Sequence, residues 1–235
     1  MTPEQMSTFR ESGYLLLRQA LARKQVEPIR VQVLDELERL GIWSSGKVRS
    51  ASIRRAPAFQ QIAKLSSLIR QDDLHARIID THTQAAIVSL ARTRLVPAQS
   101  QFLVSLPRQG EWTLDGLNWH TDVSAAGHRQ VPGIQAFVLI DEVKPRGGAT
   151  LALAGSHRLA DQPGPYRRIR EVLRGRGDPQ AALRDHDLSI VEMCGQAGDI
   201  YLMDMRLLHT PSINASDRLR IMATVRYLPA TPAGA

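Results

Sequence analysis

An imidazole and a carboxylate flank a single residue in Asn118-Trp119-His120-Thr121-Asp122. In extended chain that spacing puts both side chains on one face of a strand. Two such groups need a third to hold a divalent ion. His209, in Arg206-Leu207-Leu208-His209-Thr210-Pro211, is of the required type. Two histidines and one carboxylate form the facial triad of non-haem Fe(II) sites, which covers one face of the ion and leaves the other open. His-x-Asp alone is a weak signal. Its competing reading is a surface pair and an unrelated core histidine.

A further charged residue stands where an apolar strand pattern begins. Beyond His209 the chain runs through Asn214-Ala215-Ser216-Asp217-Arg218-Leu219-Arg220 and then Ile221 to Tyr227. An arginine that enters a barrel interior needs an anionic partner, because an unpaired buried charge is costly. A bidentate fork on the carboxylate of a dicarboxylate co-substrate meets that need. Arg220 is the candidate. Arg218 and Arg226 share its strand parity, and Arg218 is its rival.

These residues require strands to hold them, and the chain changes period where such strands should begin. Its first part reads as helix. Thr2-Pro3-Glu4-Gln5 carries a cap, a first-turn proline and a capping-box partner, giving a short helix to about Glu11. A small strand is expected at Tyr14–Leu17. A second helix is expected from Ala22 to Leu40, stopping at Gly41, with Ile29, Val33, Leu37 and Leu40 on its apolar side. Pro28 is awkward inside it and offers another start. Residues 42–56 look irregular. Helical patterns return over Ala58–Arg70 and Asp72–Arg92, the second placing His75 and His82 where they could share a face, though packing or surface roles are the ordinary reading.

After Pro97 the period falls to two. Gln99, Gln101, Leu103 and Ser105 alternate with Ser100, Phe102, Val104 and Leu106. Further strands are expected at Ile134–Ile140, Ala149–Ala154, Ile200–Met203 and Leu219–Leu228, separated by Pro132-Gly133, Gly147-Gly148, Gly195, Gly198-Asp199 and Pro211. Helices followed by strands indicate a mainly β, α+β single domain. Residues 1–95 form helical support and 96–235 a double-stranded β-helix, the jelly-roll or cupin-like core. The polar segment from Arg158 to Asp187 interrupts the strands and is expected to act as a lid carrying substrate contacts on its arginines.

Composition narrows the classes. At 235 residues and 43% hydrophobic content, one sizeable core is expected. No apolar run reaches the length of about 20 residues that a bilayer span needs, and the N-terminus lacks a signal-peptide core. Cys194 is the sole cysteine, so no internal disulfide forms and a reducing, cytoplasmic setting is expected. The net charge of +7 is read as solvated surface, with an anionic small-molecule substrate as the alternative. Aromatic content of 5% gives no stacking platform, so no nucleic-acid partner is expected.

Taken together, these stretches resemble a known family. Phe9-Arg10-Glu11-Ser12-Gly13-Tyr14-Leu15, His120-Thr121-Asp122, Gly147-Gly148-Ala149-Thr150, Gly155-Ser156-His157-Arg158 and Gly198-Asp199-Ile200-Tyr201-Leu202-Met203-Asp204 stand in order with His209, Asn214 and Arg220. The pattern is similar to the phytanoyl-CoA dioxygenase family of Fe(II)- and 2-oxoglutarate-dependent oxygenases over nearly the whole chain. The resemblance implies that His120, Asp122 and His209 bind Fe(II) and that Arg220 holds the distal carboxylate of 2-oxoglutarate. It also implies co-substrate contacts from Phe102 and Ser105. Where the family often has serine after the distal histidine, this chain has Pro211, so one contact is lost or comes from Ser212. The implied reaction uses O2, releases succinate and CO2, and hydroxylates an unactivated C–H of a small molecule, such as a secondary metabolite or an amino-acid-like compound. Related halogenases lack the carboxylate that Asp122 supplies here. Two other classes remain open at this point: a non-catalytic jelly-roll binding protein, and a cupin-type metalloenzyme that does not use 2-oxoglutarate and would leave Arg220 without a role.

Overall fold

The computed structural model describes residues 1–124, 130–175 and 178–230. The N-terminal third is helical. α1 (Pro3–Ser12) starts as expected: Gln5 N donates to Thr2 Oγ1 at 3.2 Å and Thr2 N donates to Gln5 Oε1 at 2.9 Å. After β1 (Tyr14–Leu17), α2 (Arg23–Arg39) runs straight through Pro28, because Gln25 Oε1 accepts from Ala22 N and fixes an earlier start. The stretch read as irregular contains a small hairpin, β2 (Trp43–Ser44) with β3 (Lys47–Val48), and one helical turn, α3 (Ala51–Arg54).

α4 (Ala58–Leu68) follows. The helix expected over Asp72–Arg92 is instead two, α5 (Leu74–Ile78) and α6 (Thr81–Ala91). Asp80 makes the break: its carboxylate accepts from Thr83 N at 2.7 Å and caps α6, so its own backbone is extended. His75 and His82 therefore lie on different helices and do not share one face.

Two sheets make the second half. β4 (Leu95–Ser105), β5 (Ile134–Leu139), β8 (Ile200–Asp204) and β10 (Arg220–Pro229) join β1 in the antiparallel order β1-β8-β5-β10-β4. The smaller sheet has β6 (Thr150–Ala154) between β7 (Ser189–Glu192) and β9 (His209–Pro211). Pro97 is tolerated inside β4 because that strand is an edge. This is the jelly-roll core that the alternating pattern implies, with the N-terminal helices on the outer face of the larger sheet.

Strand parity assigns every side chain of the larger sheet to a layer. Leu15, Leu17, Phe102, Val104, Ala136, Val138, Ile200, Leu202, Ile221 and Ala223 face the helices with Val33, Leu37, Leu65 and Ile87. Phe137, Leu139, Tyr201, Met203 and Met222 face the smaller sheet. Burial on both faces explains why β5 and β8 are apolar throughout apart from Gln135 and the terminal Asp204. A third cluster forms on the outer face of the smaller sheet. There α7 (Pro163–Val172) and α8 (Pro179–Asp185) pack Ile169, Val172 and Ala182 onto Leu151, Leu153 and Leu208. The segment from Arg158 to Asp187 is thus an outer layer of the barrel. Its Arg176 and Gly177 lie outside the described residues. No helix among the described residues is long and apolar enough to cross a membrane.

Candidate metal centre

β9 brings the three candidate ligands together. His120 and His209 form a reciprocal antiparallel bridge, His120 N donating to His209 O at 3.0 Å and His209 N to His120 O at 2.9 Å. The two rings then lie 4.4 Å apart between centroids. Asp122 follows in irregular chain, its N donating to Met205 O at 3.1 Å. One ligand atom from each of His120, Asp122 and His209 lies within 4.8 Å of the others, the one such group of three found among the described residues.

The hydrogen bonds set the tautomers. His120 Nδ1 is 2.8 Å from Asn118 O and His209 Nδ1 is 3.0 Å from Leu207 O. A carbonyl only accepts, so each Nδ1 carries the proton and each Nε2 offers its lone pair. Burial pushes the His209 imidazole down to about 4, against the opposing pull of Asp122, which keeps it neutral. Asp122 divides its oxygens. Oδ1 accepts from Arg226 Nη2 at 2.6 Å, while buried Oδ2 has no partner and lies 3.5 Å from His209 Nε2. A buried acceptor without a donor, beside two free imidazole nitrogens, is the arrangement a divalent cation satisfies.

The site opens into a cavity of about 900 Å³. Its strand wall carries Gln99, Gln101, Leu103, Gln135, Phe137 and Arg220, with His120 and His209 at its metal end. Its opposite wall is α4 and the turn into α5, with Phe59, Ile62, Ser66, Arg70, Asp72 and His75. Among the described residues, neither 42–56 nor the segment 158–187 contributes to this lining. The expected lid, with substrate contacts from its arginines, is therefore corrected: the apolar faces of α7 and α8 are spent on the outside of the smaller sheet, away from the cavity.

Arg220 is 3% exposed and on the cavity side of β10. Its Nη1 donates to Leu103 O at 2.8 Å, and its Nε has no partner. Burial drags the guanidinium down to about 10, with Asp141 pulling the other way. Arg218 is at the surface, 3.7 Å from Glu142, and no rival for the interior. The two weaker co-substrate expectations separate. Ser105 is paired in register with Arg220 and shares its face, its Oγ donating to Gln109 Oε1 at 3.2 Å. Gly148, at φ 77°, lets the chain come close beside it: a Cβ there would meet Asn214 Cβ at 2.8 Å and Ser105 Oγ at 2.9 Å. Phe102 is turned into the helix-side core, so the expectation that it contacts a co-substrate is overturned. Ser212 does not replace the missing serine either, because its Oγ donates to Ala149 O at 2.8 Å, while Pro211 lines the cavity. His157 is structural, its Nε2 3.0 Å from Arg10 O.

Sequence reasoning noted the parity of Arg226 but gave it no role at the site. The signal was available, since Arg220 and Arg226 lie on the same face of one strand and Asp122 needed a cation.

No curated protein matches the chain by sequence. Solved structures share its fold. A non-haem α-ketoglutarate-dependent carbocyclase from nogalamycin biosynthesis, SnoK, superposes with a TM-score of 0.63 at 21% identity, covering 98% of this chain and 85% of that one. HygX from Streptomyces hygroscopicus, solved with nickel and 2-oxoglutarate bound, gives 0.61 at 20% identity over 98% and 87%. EctD from S. alaskensis, solved with 2-oxoglutarate and 5-hydroxyectoine, gives 0.62 at 17% identity over 97% and 76%. The family description "Phytanoyl-CoA dioxygenase (PhyH)" matches residues 9–222, a span that takes in His120, Asp122, His209 and Arg220, and the chain belongs to that family.

Proposed function

We propose that this protein is an Fe(II)- and 2-oxoglutarate-dependent dioxygenase that hydroxylates an unactivated C–H bond of a small molecule, releasing succinate and CO2. One observation carries the reading: His120 and His209 of the three-residue ligand cluster and a buried, under-partnered arginine line the same cavity. A binding protein has no use for that combination, and a metalloenzyme that does not use 2-oxoglutarate leaves Arg220 charged and unpaired.

His120 Nε2, His209 Nε2 and Asp122 Oδ2 would hold the iron. Iron together with 2-oxoglutarate and O2 supplies the oxidising power for C–H cleavage. The protein's own residues do the rest. Arg220 offers its Nε, and the guanidinium edge left beside its Leu103 bond, to the distal carboxylate of 2-oxoglutarate. Phe137 and Leu103 exclude water from the neighbouring wall. The Gln99, Gln101 and Gln135 amides and the α4–α5 wall orient the primary substrate, whose target carbon must lie within a fraction of an ångström of its reacting position. A cavity of about 900 Å³ leaves room for a drug-sized molecule beside the co-substrate.

A second outcome has specific support. Structures of this fold include enzymes described as a carbocyclase and an epimerase, so ring closure or epimerisation through the same hydrogen abstraction is the alternative product class. The test is succinate release from 2-oxoglutarate with Fe(II) and O2 across a panel of candidate small molecules, with mass spectrometry of the products. Stimulation by one compound with a gain of one oxygen supports hydroxylation, an unchanged or hydrogen-depleted product mass assigns the alternative, and no 2-oxoglutarate consumption under any condition rejects both.

A further inference from the structure

We propose that Arg226 is a positioning residue that holds Asp122 as a ready-made ligand and supplies its countercharge in the metal-free protein, so that the fold does not depend on the metal. The proposal rests on the metal reading above. The Asp122 side chain is 3% exposed, and it sits in irregular chain where no strand fixes its direction. Its backbone is tied by one bond, from Asp122 N to Met205 O. Its side chain is tied by another, from Arg226 Nη2 to Oδ1 at 2.6 Å. That contact takes one oxygen and turns the other toward His209 Nε2.

Arg226 is itself held in place. It stands in β10 in register with Gln99 of β4 and Gln135 of β5, and its Nη1 donates to Gln99 Oε1 at 3.3 Å. The guanidinium thus reaches across the gap between the two sheets from a fixed strand to a carboxylate that has none. A buried carboxylate deprived of its countercharge destabilises a fold strongly, whereas a divalent ion satisfies it better than a guanidinium does. Metal and Arg226 therefore neutralise the same carboxylate, and each should matter most when the other is missing. At 31% side-chain exposure Arg226 is partly screened, which places the expected effect at the low end.

The test is thermal unfolding of wild type, Arg226→Met, Arg226→Lys, Asp122→Asn and the Asp122→Asn/Arg226→Met double variant, each stripped of metal and then with added Mn(II). Metal-free Arg226→Met should melt roughly 5–10 °C below wild type, and Mn(II) should raise its midpoint by more than it raises that of wild type. Arg226→Lys keeps the charge without the planar fork and should recover part of the loss. In the Asp122→Asn background, Arg226→Met should change little, since the charge to be neutralised is gone. A general packing role would lower the midpoint in either background and would be indifferent to metal. If metal-free Arg226→Met melts with wild type, or gains no more from Mn(II), or loses as much in the Asp122→Asn background as with Asp122 intact, the role is wrong. If Arg226→Met does not fold, the Lys variant decides on the first two of these criteria. A wild type that Mn(II) fails to stabilise refutes the metal site itself, which is a different failure from an Arg226 variant that behaves like wild type.

Discussion

Replacing Arg220 by Met tests the co-substrate end of the site with a magnitude taken from the structure. Arg220 is 3% exposed, its Nη1 meets Leu103 O, and its Nε meets nothing. Burial, partly opposed by Asp141, brings its guanidinium down to about 10, a net penalty on the charged form of about 3 kcal/mol. A carboxylate arriving in the cavity would offset most of that cost. Truncating one partner of a buried, hydrogen-bonded charge pair costs about 2–5 kcal/mol. At about 1.4 kcal/mol per tenfold, the affinity for 2-oxoglutarate should fall roughly a hundredfold. Because the arginine lacks a full set of partners without ligand, the ligand-free variant should melt no lower than wild type. Calorimetric titration of 2-oxoglutarate into Mn(II)-loaded protein reads the affinity without turnover, and a parallel Mn(II) titration should give the same metal affinity in both proteins. An unchanged 2-oxoglutarate affinity in a folded Arg220→Met protein, or a loss produced by surface Arg218→Ala instead, would refute the assignment.

Three other outcomes follow from the same geometry. Phe59→Ala and Arg70→Ala alter the wall opposite the strands and should raise KM for the primary substrate while leaving 2-oxoglutarate affinity unchanged; Arg167→Ala and Arg168→Ala on α7 should alter neither, which steady-state kinetics reads directly. The metal-free protein should lose stability as pH falls from about 6.5 to about 4. Burial lowers the proton affinity of both His157 and His209 below that of the unfolded chain, so the unfolded state binds the extra protons in this window, and His209 alone accounts for on the order of 3 kcal/mol; denaturant midpoints that stay flat over this range would contradict it. As an iron ligand Asp122 would fill the position a halide would take, so product formed under 18O2 with excess chloride should carry one labelled oxygen when hydroxylation occurs, and chlorinated product from the wild-type protein would overturn the role proposed for Asp122.

Period and spacing made much of this legible. The switch from helical to alternating pattern after Pro97 announced the barrel, and His120 with Asp122 announced a ligand pair. Strand parity carries further still. Phe102 and Ser105 are three positions apart on one strand, so they cannot both face the cavity, and the register of Ser105 with Arg220 decides which one does. The same parity places Arg226 on the metal side with Arg220. The break between α5 and α6 was written in Asp80 and Thr83, a cap inside a pattern otherwise continuous in its apolar positions. The position of the segment 158–187 was not legible in this way. Its length and polarity describe a lid and an outer layer equally well, and the choice is made by Ile169, Val172 and Ala182 packing on the outward faces of Leu151 and Leu153. Nor does any local pattern say that α4 and the turn into α5 form the far wall of the cavity. That follows from α4 packing along β4, where Ser66 Oγ donates to Phe102 O.

Iron held by His120, Asp122 and His209, with 2-oxoglutarate bound on that iron, is the proposal on which every role above depends. Its most direct test is an anaerobic titration of 2-oxoglutarate into Fe(II)-loaded protein, followed by visible absorption. A saturable charge-transfer band is expected in the wild type, absent in His209→Ala and shifted to far higher 2-oxoglutarate concentration in Arg220→Met. A wild-type protein that takes up Fe(II) and develops no such band, or a His209→Ala protein that develops it undiminished, would contradict the account.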